Sequence, residues 1–264
     1  MNAFVPTLLL KAKGKPFSPA NIAGLRLWLK ADADVYSDAA GTIPAVYDGD
    51  VVGCWKDQSG NGYDVSQATT SKKPLLRIGA DGINGRPTVS FDSSDDLLVR
   101  NVADFLSTDQ SGSIFFAINS MTIKAYRAVF ASNDEATATY TFNLDPYFDS
   151  GHARFDFNYN ATHLIQGTTV WSNNTVYIFS IQSDSTEFFL RLNGADEAIS
   201  AGTNNGNWFG DLANRDNFTV GGYKHTSELG IMAKISELLI YNSCLTDIDL
   251  TNVENYLNHR YAAY

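Results

Sequence analysis

Between residues 153 and 160 apolar and polar side chains alternate, with Phe155, Phe157 and Tyr159 on one side and Asp156 and Asn158 on the other. A period of two is the signature of a half-buried strand. Short runs separated by turn residues predict further strands at 24–29, 86–92, 113–119 (a buried one), 126–131, 140–144, 175–182, 187–192, 195–200, 218–222 and 233–241. Asn193-Gly194 joins two of them, a dipeptide that favours the type I′ turn of a tight hairpin. Asp57-Gln58-Ser59-Gly60-Asn61-Gly62 is a dense turn signal. The period changes near the end of the chain. Thr246 suits an N-cap, Asp247 and Asp249 fall in the first turn, and Leu250, Val253 and Leu257 form an apolar stripe ahead of His259 and Arg260. That pattern predicts a single helix. Many short strands without helices between them mean an antiparallel sandwich or barrel.

The chain has 264 residues, 44% of them hydrophobic and 18% charged. All-β sandwiches reach this size as one domain, and a core this large needs no staples. Lys and Arg number 19 against 29 Asp and Glu, a formal charge of −10 with no basic cluster. A nucleic-acid binder needs a positive footprint, so nucleic acid and an anionic membrane surface are not expected partners. Cys54 and Cys244 form no CxxC pair, which argues against a structural zinc site. Both fall in or beside predicted terminal strands, and the sequence leaves open whether they are two reduced thiols or one bridge.

Residues 1–20 read as an arm punctuated by Pro6, Gly14, Pro16 and Pro19. Its apolar run holds Phe4, Val5, Leu8, Leu9 and Leu10, and Lys11, Lys13 and Lys15 follow. A secretion signal has the opposite order, and no apolar run approaches the length of a membrane span. The arm could add a strand to a neighbour's sheet or cover an edge of its own. Residues 21–264 are expected to form one domain.

Gly24-Leu25-Arg26-Leu27-Trp28-Leu29 and the run from Trp55 through Asp57-Gln58-Ser59-Gly60-Asn61-Gly62 to Asp64 together resemble the opening of laminin-G-like, concanavalin-A-like domains of bacterial and phage proteins. Asn84-Gly85-Arg86-Pro87-Thr88-Val89-Ser90-Phe91-Asp92 is similar to the strand that follows. Ile235-Ser236-Glu237-Leu238-Leu239-Ile240-Tyr241-Asn242 and the segment from Leu245 to Tyr261 are similar to their closing strand and helix. The resemblance implies a jelly roll of two curved antiparallel sheets that binds carbohydrate or protein. With the arm it implies a virion component, such as a tail, fibre or capsid-decoration protein, forming a symmetric homo-oligomer through partners on the same assembly. A carbohydrate-binding module of a bacterial extracellular protein is the alternative.

Some relatives of this fold cleave polysaccharides, so the residues have to decide. Glycoside hydrolysis needs two carboxylates across one bond. No Glu-x-Asp-x-Glu strand is present: Glu187 precedes Phe188-Phe189, Glu237 precedes Leu238-Leu239, and Asp156 is followed two residues on by Asn158. The surroundings of Arg154, Arg191 and His163 do not match the strands that the lyases share. There is no Gly-x-Ser-x-Gly elbow and no nucleotide loop. The expectation is a binding protein and not an enzyme.

Calcium is the one cofactor for which the chain supplies candidate ligands, because it takes carboxylate and carbonyl oxygens. Asp32, Asp34, Asp57, Asp92 and Asp95 lie in acidic loops; the competing use of such residues is to build turns. Glycan contact is expected from loops that carry tryptophan beside amides, Trp171 with Asn173 and Trp208 with Asn207, and from Tyr159 at the end of its strand. Packing of those tryptophans as loop anchors is the alternative.

Overall fold

The structure is a computed structural model that describes residues 16–102, 105–122, 127–136, 142–149, 151–157, 164–212, 214–224 and 229–264. Two antiparallel sheets face each other, and the C-terminal helix forms a third layer over one of them. The smaller sheet runs in the order Ala195–Glu197, Phe188–Leu192, Thr175–Ser183, Gly112–Thr122, Met232–Tyr241, Thr88–Asp92 and Leu75–Arg77, with Leu25–Lys30 also paired to Met232–Tyr241. The larger sheet has ten strands, in the order Ile199–Gly202, Leu164–Val170, His152–Phe157, Phe142–Asp149, Phe130–Ser132, Phe218–Val220, Leu98–Arg100, Val65–Ser66, Cys54–Trp55 and Val35–Tyr36. The chain is therefore a two-sheet jelly-roll sandwich with one C-terminal helix, as the family resemblance implied and as one of the two architectures that the strand pattern allowed.

Alternation sorts the core into two layers. In Gly112–Thr122 the side chains of Ile114, Phe116 and Ile118 enter the space between the sheets, while Phe115 and Ala117 face the helix. This strand is buried on both faces, so it reads as an unbroken apolar run. Met232–Tyr241 switches parity partway: Ala233 and Ile235 point inward, then Leu238 and Ile240 do. The register against Gly112–Thr122 shifts between Ile235 and Glu237, and such a bulge turns every later side chain to the other face. Glu237, Leu239 and Tyr241 meet the helix as a result.

The helix spans Asp247–Tyr261. Thr246 Oγ1 accepts from Asp249 N at 3.3 Å, and Ala262 ends the helix with φ 48°. Leu250, Val253, Leu257 and Tyr261 are buried against Phe115, Ile178 and Leu239. Each such burial stabilises by about 1.5–3 kcal/mol. The Asn193-Gly194 turn joins Phe188–Leu192 to Ala195–Glu197 with φ of 51° and 74°, the left-handed pair a type I′ turn requires.

Two expectations about the elements need correction. The single strand foreseen at 195–200 is two strands in different sheets, because the chain crosses from one sheet to the other between Glu197 and Ile199. Of the described residues of the strand foreseen at 126–131, Phe130 and Ala131 belong to the strand Phe130–Ser132, and Val129 N donates to Leu144 O at 2.8 Å just before it. Within the segment read as an arm, Phe17 packs edge-on to Tyr256 at 6.3 Å, and Pro19 O accepts from the Tyr241 hydroxyl at 3.0 Å. Phe4, Val5, Leu8, Leu9 and Leu10 lie outside the described residues. Cys54 and Cys244 are both free thiols, with Cys54 buried in its strand and pushed by burial to about 11, and Cys244 in the turn ahead of the helix.

Candidate functional site

The sequence placed ligand contacts on tryptophan-bearing loops. Both tryptophans are instead core residues, 2% exposed for Trp171 and fully buried for Trp208. Trp171 lies 4.4 Å from the ring of Tyr177, and Trp208 packs among Phe142, Phe188 and Phe209. Gly112 makes room for the Trp208 indole, since a Cβ there would stand 2.4 Å from Nε1. The exposed turn with Asn173 follows Trp171 near the Ser120 end of Gly112–Thr122, while Trp208, with Asn207 before it, sits at the Gly112 end. Eight strand residues separate those ends by about 26 Å, so the two loops do not form one site. Tyr159 lies outside the described residues.

The candidate calcium ligands hold turns and ion pairs. Asp57 accepts from Trp28 N at 2.9 Å, Ser59 N at 2.8 Å, Ser59 Oγ at 2.7 Å and Tyr63 N at 3.0 Å, which pins the 57–62 turn to the first strand. Asp32 pairs with Lys30 at 3.2 Å and Arg260 at 2.6 Å. Asp34 accepts from Gln58 Nε2 at 3.0 Å, and Asp92 from Ser94 N at 2.8 Å. Asp95 stands in the same turn as Asp92. No group of three His, Cys, Asp or Glu side chains among the described residues is placed to share a metal ion. Asp32, Asp34, Asp57 and Asp92, the carboxylates expected as calcium candidates, thus engage hydrogen bonds or ion pairs within their own loops and with neighbouring elements.

What the structure does bring together lies on the outer face of the ten-stranded sheet. Phe142 and Leu144 point into the core, so Asn143 and Asp145 face outward. Ala153 and Phe155 point inward, leaving Arg154 and Asp156 outward; Ile165 does the same for Leu164 and Gln166. Register pairs Asp145 with Arg154 and Arg154 with Gln166 in one row, and Asn143 with Asp156 and Asp156 with Leu164 in the next. The second row continues through Ala131, Thr219 and Val99. Facing residues of such rows stand about 4.5–5.5 Å apart at Cβ, near enough to act on one ligand.

These outward groups are polar yet largely covered. Asn143, Asp145 and Asp156 are buried, while Gln166 and Arg154 are half-buried. Asp156 Oδ1 lies 2.6 Å from Arg154 Nη2 and 2.7 Å from Nε. Burial raises the Asp156 carboxyl and the adjacent guanidinium opposes that rise. Arg127 N donates to Asp145 Oδ2 at 2.9 Å. Tyr223, from the small hairpin of Gly222–Tyr223 and Leu229–Gly230, donates its hydroxyl to Asn143 Oδ1 at 2.8 Å. The result is one guanidinium fixed among buried polar groups, with Arg154 and Gln166 keeping part of their surface open to hydroxyl-bearing ligands. Sequence reasoning noted Arg154 and Asp156 without assigning them a site. The alternation along 153–157 already placed them outward, but the rows depend on register, which one strand does not reveal.

No protein-family model and no curated protein sequence matches the chain. Among solved structures, a Trypanosoma rangeli sialidase in complex with 2,3-difluorosialic acid is similar over 97% of this chain and 36% of that one, with TM-score 0.60 and 11% identity. The CBM40 module of a Ruminococcus gnavus IT-sialidase, bound to α2,3 sialyllactose, is similar over 63% of this chain and 95% of the module, with TM-score 0.53 and 12% identity. A botulinum neurotoxin type C structure, described with cell entry that depends on two ganglioside molecules, is similar over 91% of this chain and 53% of that one, with TM-score 0.57 and 13% identity. The chain thus spans about a third of the sialidase and about half of the toxin chain. At these identities the likeness is one of fold: a two-sheet antiparallel sandwich shared with proteins of several activities.

Proposed function

We propose that the chain is a non-enzymatic, lectin-like module that binds glycans on the outer face of its ten-stranded sheet. The observation that carries this reading is the pair of in-register rows, Gln166–Arg154–Asp145 and Asp156–Asn143, on the face turned away from the core. A sugar ring presents several hydroxyls at fixed spacing, and the half-buried Arg154 and Gln166, set beside the buried Asp145, Asp156 and Asn143, answer that geometry. Similar folds include a module bound to sialyllactose and a toxin whose entry depends on gangliosides, which supports glycan as the ligand class. A non-catalytic role fits the state of Asp156, whose Oδ1 is held by two N–H groups of Arg154. Acid–base chemistry asks for a carboxyl able to exchange its proton with the substrate.

The wider role we propose is attachment, with the module carried on a virion or similar surface assembly. That part rests on the resemblance of the sequence and on the apolar run near its start. Both readings meet one experiment, a glycan array probed with the full chain, with calcium and with EDTA, beside the variant Gln166→Ala/Tyr223→Phe. Specific binding that the double substitution weakens supports the sheet face as the site. A blank array for the folded protein under both conditions overturns glycan binding and leaves a structural role.

A further inference from the structure

The helix has a second stripe. Asn252, Asn255, Tyr256 and His259 recur at intervals of three and four and so share a face, pointing away from the buried stripe of Leu250, Val253 and Leu257. With Phe17 and Arg86 they line a pocket of about 430 Å³ on the helix side of the sandwich, opposite the outer face of the ten-stranded sheet. Phe17 is exposed and stands edge-on to Tyr256. Arg260 also borders the pocket, but its guanidinium is committed to Asp32 at 2.6 Å and Glu237 at 2.7 Å.

The remaining polar groups are uncommitted. The side chains of Arg86, Asn252, Asn255 and His259 form no hydrogen bond or ion pair with the described residues. In a chain with 29 acidic residues and a formal charge of −10, no carboxylate among the described residues lines this pocket. Its ligand therefore meets a guanidinium, two amides and an imidazole, all able to donate, beside two aromatic rings. A guanidinium presents its N–H groups as a fork that matches the two oxygens of a carboxylate or sulfate. Amides and imidazole serve hydroxyls, and the rings offer an apolar surface to the C–H face of a sugar. A cationic ligand finds no counter-charge here, and a purely apolar one leaves the donors unpaired.

We infer that this pocket is a second binding site, specific for an acidic saccharide, with Arg86 taking the acid group and Asn252, Asn255 and His259 the neighbouring hydroxyls. It is a separate site from the sheet face and stands whether or not that face binds glycan.

The test is isothermal titration of the full chain with 3′-sialyllactose, a hyaluronan tetrasaccharide and a chondroitin sulfate tetrasaccharide, with lactose as the uncharged control. At least one acidic saccharide should bind. Arg86→Ala should weaken that binding by about tenfold or more, and Asn255→Ala by a smaller factor, as expected for a charge-assisted bond against a neutral one. Gln166→Ala, on the opposite face, should leave it unchanged. Circular dichroism confirms that each variant folds. Acidic saccharides that bind but respond to Gln166→Ala and not to Arg86→Ala would overturn the pocket and keep the sheet-face reading. If none of the three acidic saccharides binds, the pocket is overturned whatever the array shows for neutral glycans.

Discussion

Arg260 Nε, in the last turn of the helix, lies 2.7 Å from Oε1 of Glu237, a fully buried carboxylate on the central strand of the smaller sheet. The same carboxylate accepts from Trp28 Nε1 at 2.9 Å, Tyr261 OH at 2.8 Å and Tyr256 OH at 3.2 Å. Burial pushes the Glu237 carboxyl up, while the Trp28 donor and the Arg260 charge pull it down. The bulge after Ile235 is what aims this charge at the helix and not into the space between the sheets. Helix docking thus combines an apolar stripe with one buried, multiply bonded ion.

Arg260→Met removes the cation and leaves the carboxylate buried, which should lower the unfolding free energy by about 3–5 kcal/mol. The double variant Glu237→Leu/Arg260→Met should recover much of that loss, because it takes the stranded charge away as well. Urea unfolding of wild type and both variants measures the difference. A double variant as unstable as Arg260→Met alone would mean that the pair contributes attraction beyond its desolvation cost.

Asp96 should make stability depend on pH in a direction opposite to most carboxylates. It is buried, its Oδ2 accepts from Asp92 N at 3.0 Å, and burial with the charges of Asp92 and Asp95 pushes it up from 3.8 to about 7. The folded form keeps a proton that the unfolded chain releases. The stabilisation is therefore complete below about 3.8, declines as pH rises, and is lost above about 7. Asp96→Asn should flatten this slope and be the more stable form near pH 8. Thermal unfolding followed from pH 4 to pH 8 checks it, and parallel curves for the two proteins would contradict it.

Arg215 is a buried cation without a carboxylate partner among the described residues. It donates to Phe105 O at 2.9 Å, Phe209 O at 2.7 Å and Ser132 Oγ at 2.9 Å, tying three segments together, and burial lowers its pKa to about 10. Arg215→Met keeps most of the volume and removes the donors, so two carbonyls lose their partner. The expected loss is about 2–4 kcal/mol in chemical unfolding, on the scale of buried groups left unpaired. A change below about 1 kcal/mol would mean that water replaces the guanidinium without cost.

Trp171 and Trp208 should report on stability and not on ligand. Alanine at either position should cost about 3–5 kcal/mol, as for other large aromatic truncations in a packed core. Phenylalanine should cost less and leave glycan binding unchanged. If Trp208→Phe kept its melting temperature and lost its glycan, the indole would belong to a binding site after all.

Much of the fold follows from local rules that a single sequence carries. Alternation marked the strand that carries Phe155, Asn193-Gly194 marked its hairpin, and Thr246 with the stripe from Leu250 to Leu257 marked the helix. Each of these signals involves residues a few positions apart, where covalent geometry fixes the relation. The site was less legible. That Trp171 and Trp208 would be buried, that Asp57 would spend its carboxylate on the strand that holds Trp28, and that Arg154 would stand opposite Asp145 all depend on partners far along the chain.

By itself, then, the sequence determined an antiparallel all-β sandwich or barrel closed by one helix, acidic in charge and built from short strands, because periodicity, turn chemistry and capping act locally. Tertiary structure alone decided which faces those strands present. Register sets which side chains become neighbours across a sheet, and a one-residue bulge at Ser236 reverses the faces of everything after it. Burial, the partners of each carboxylate and the rows of the outer face all follow from that long-range pairing, which no local pattern encodes.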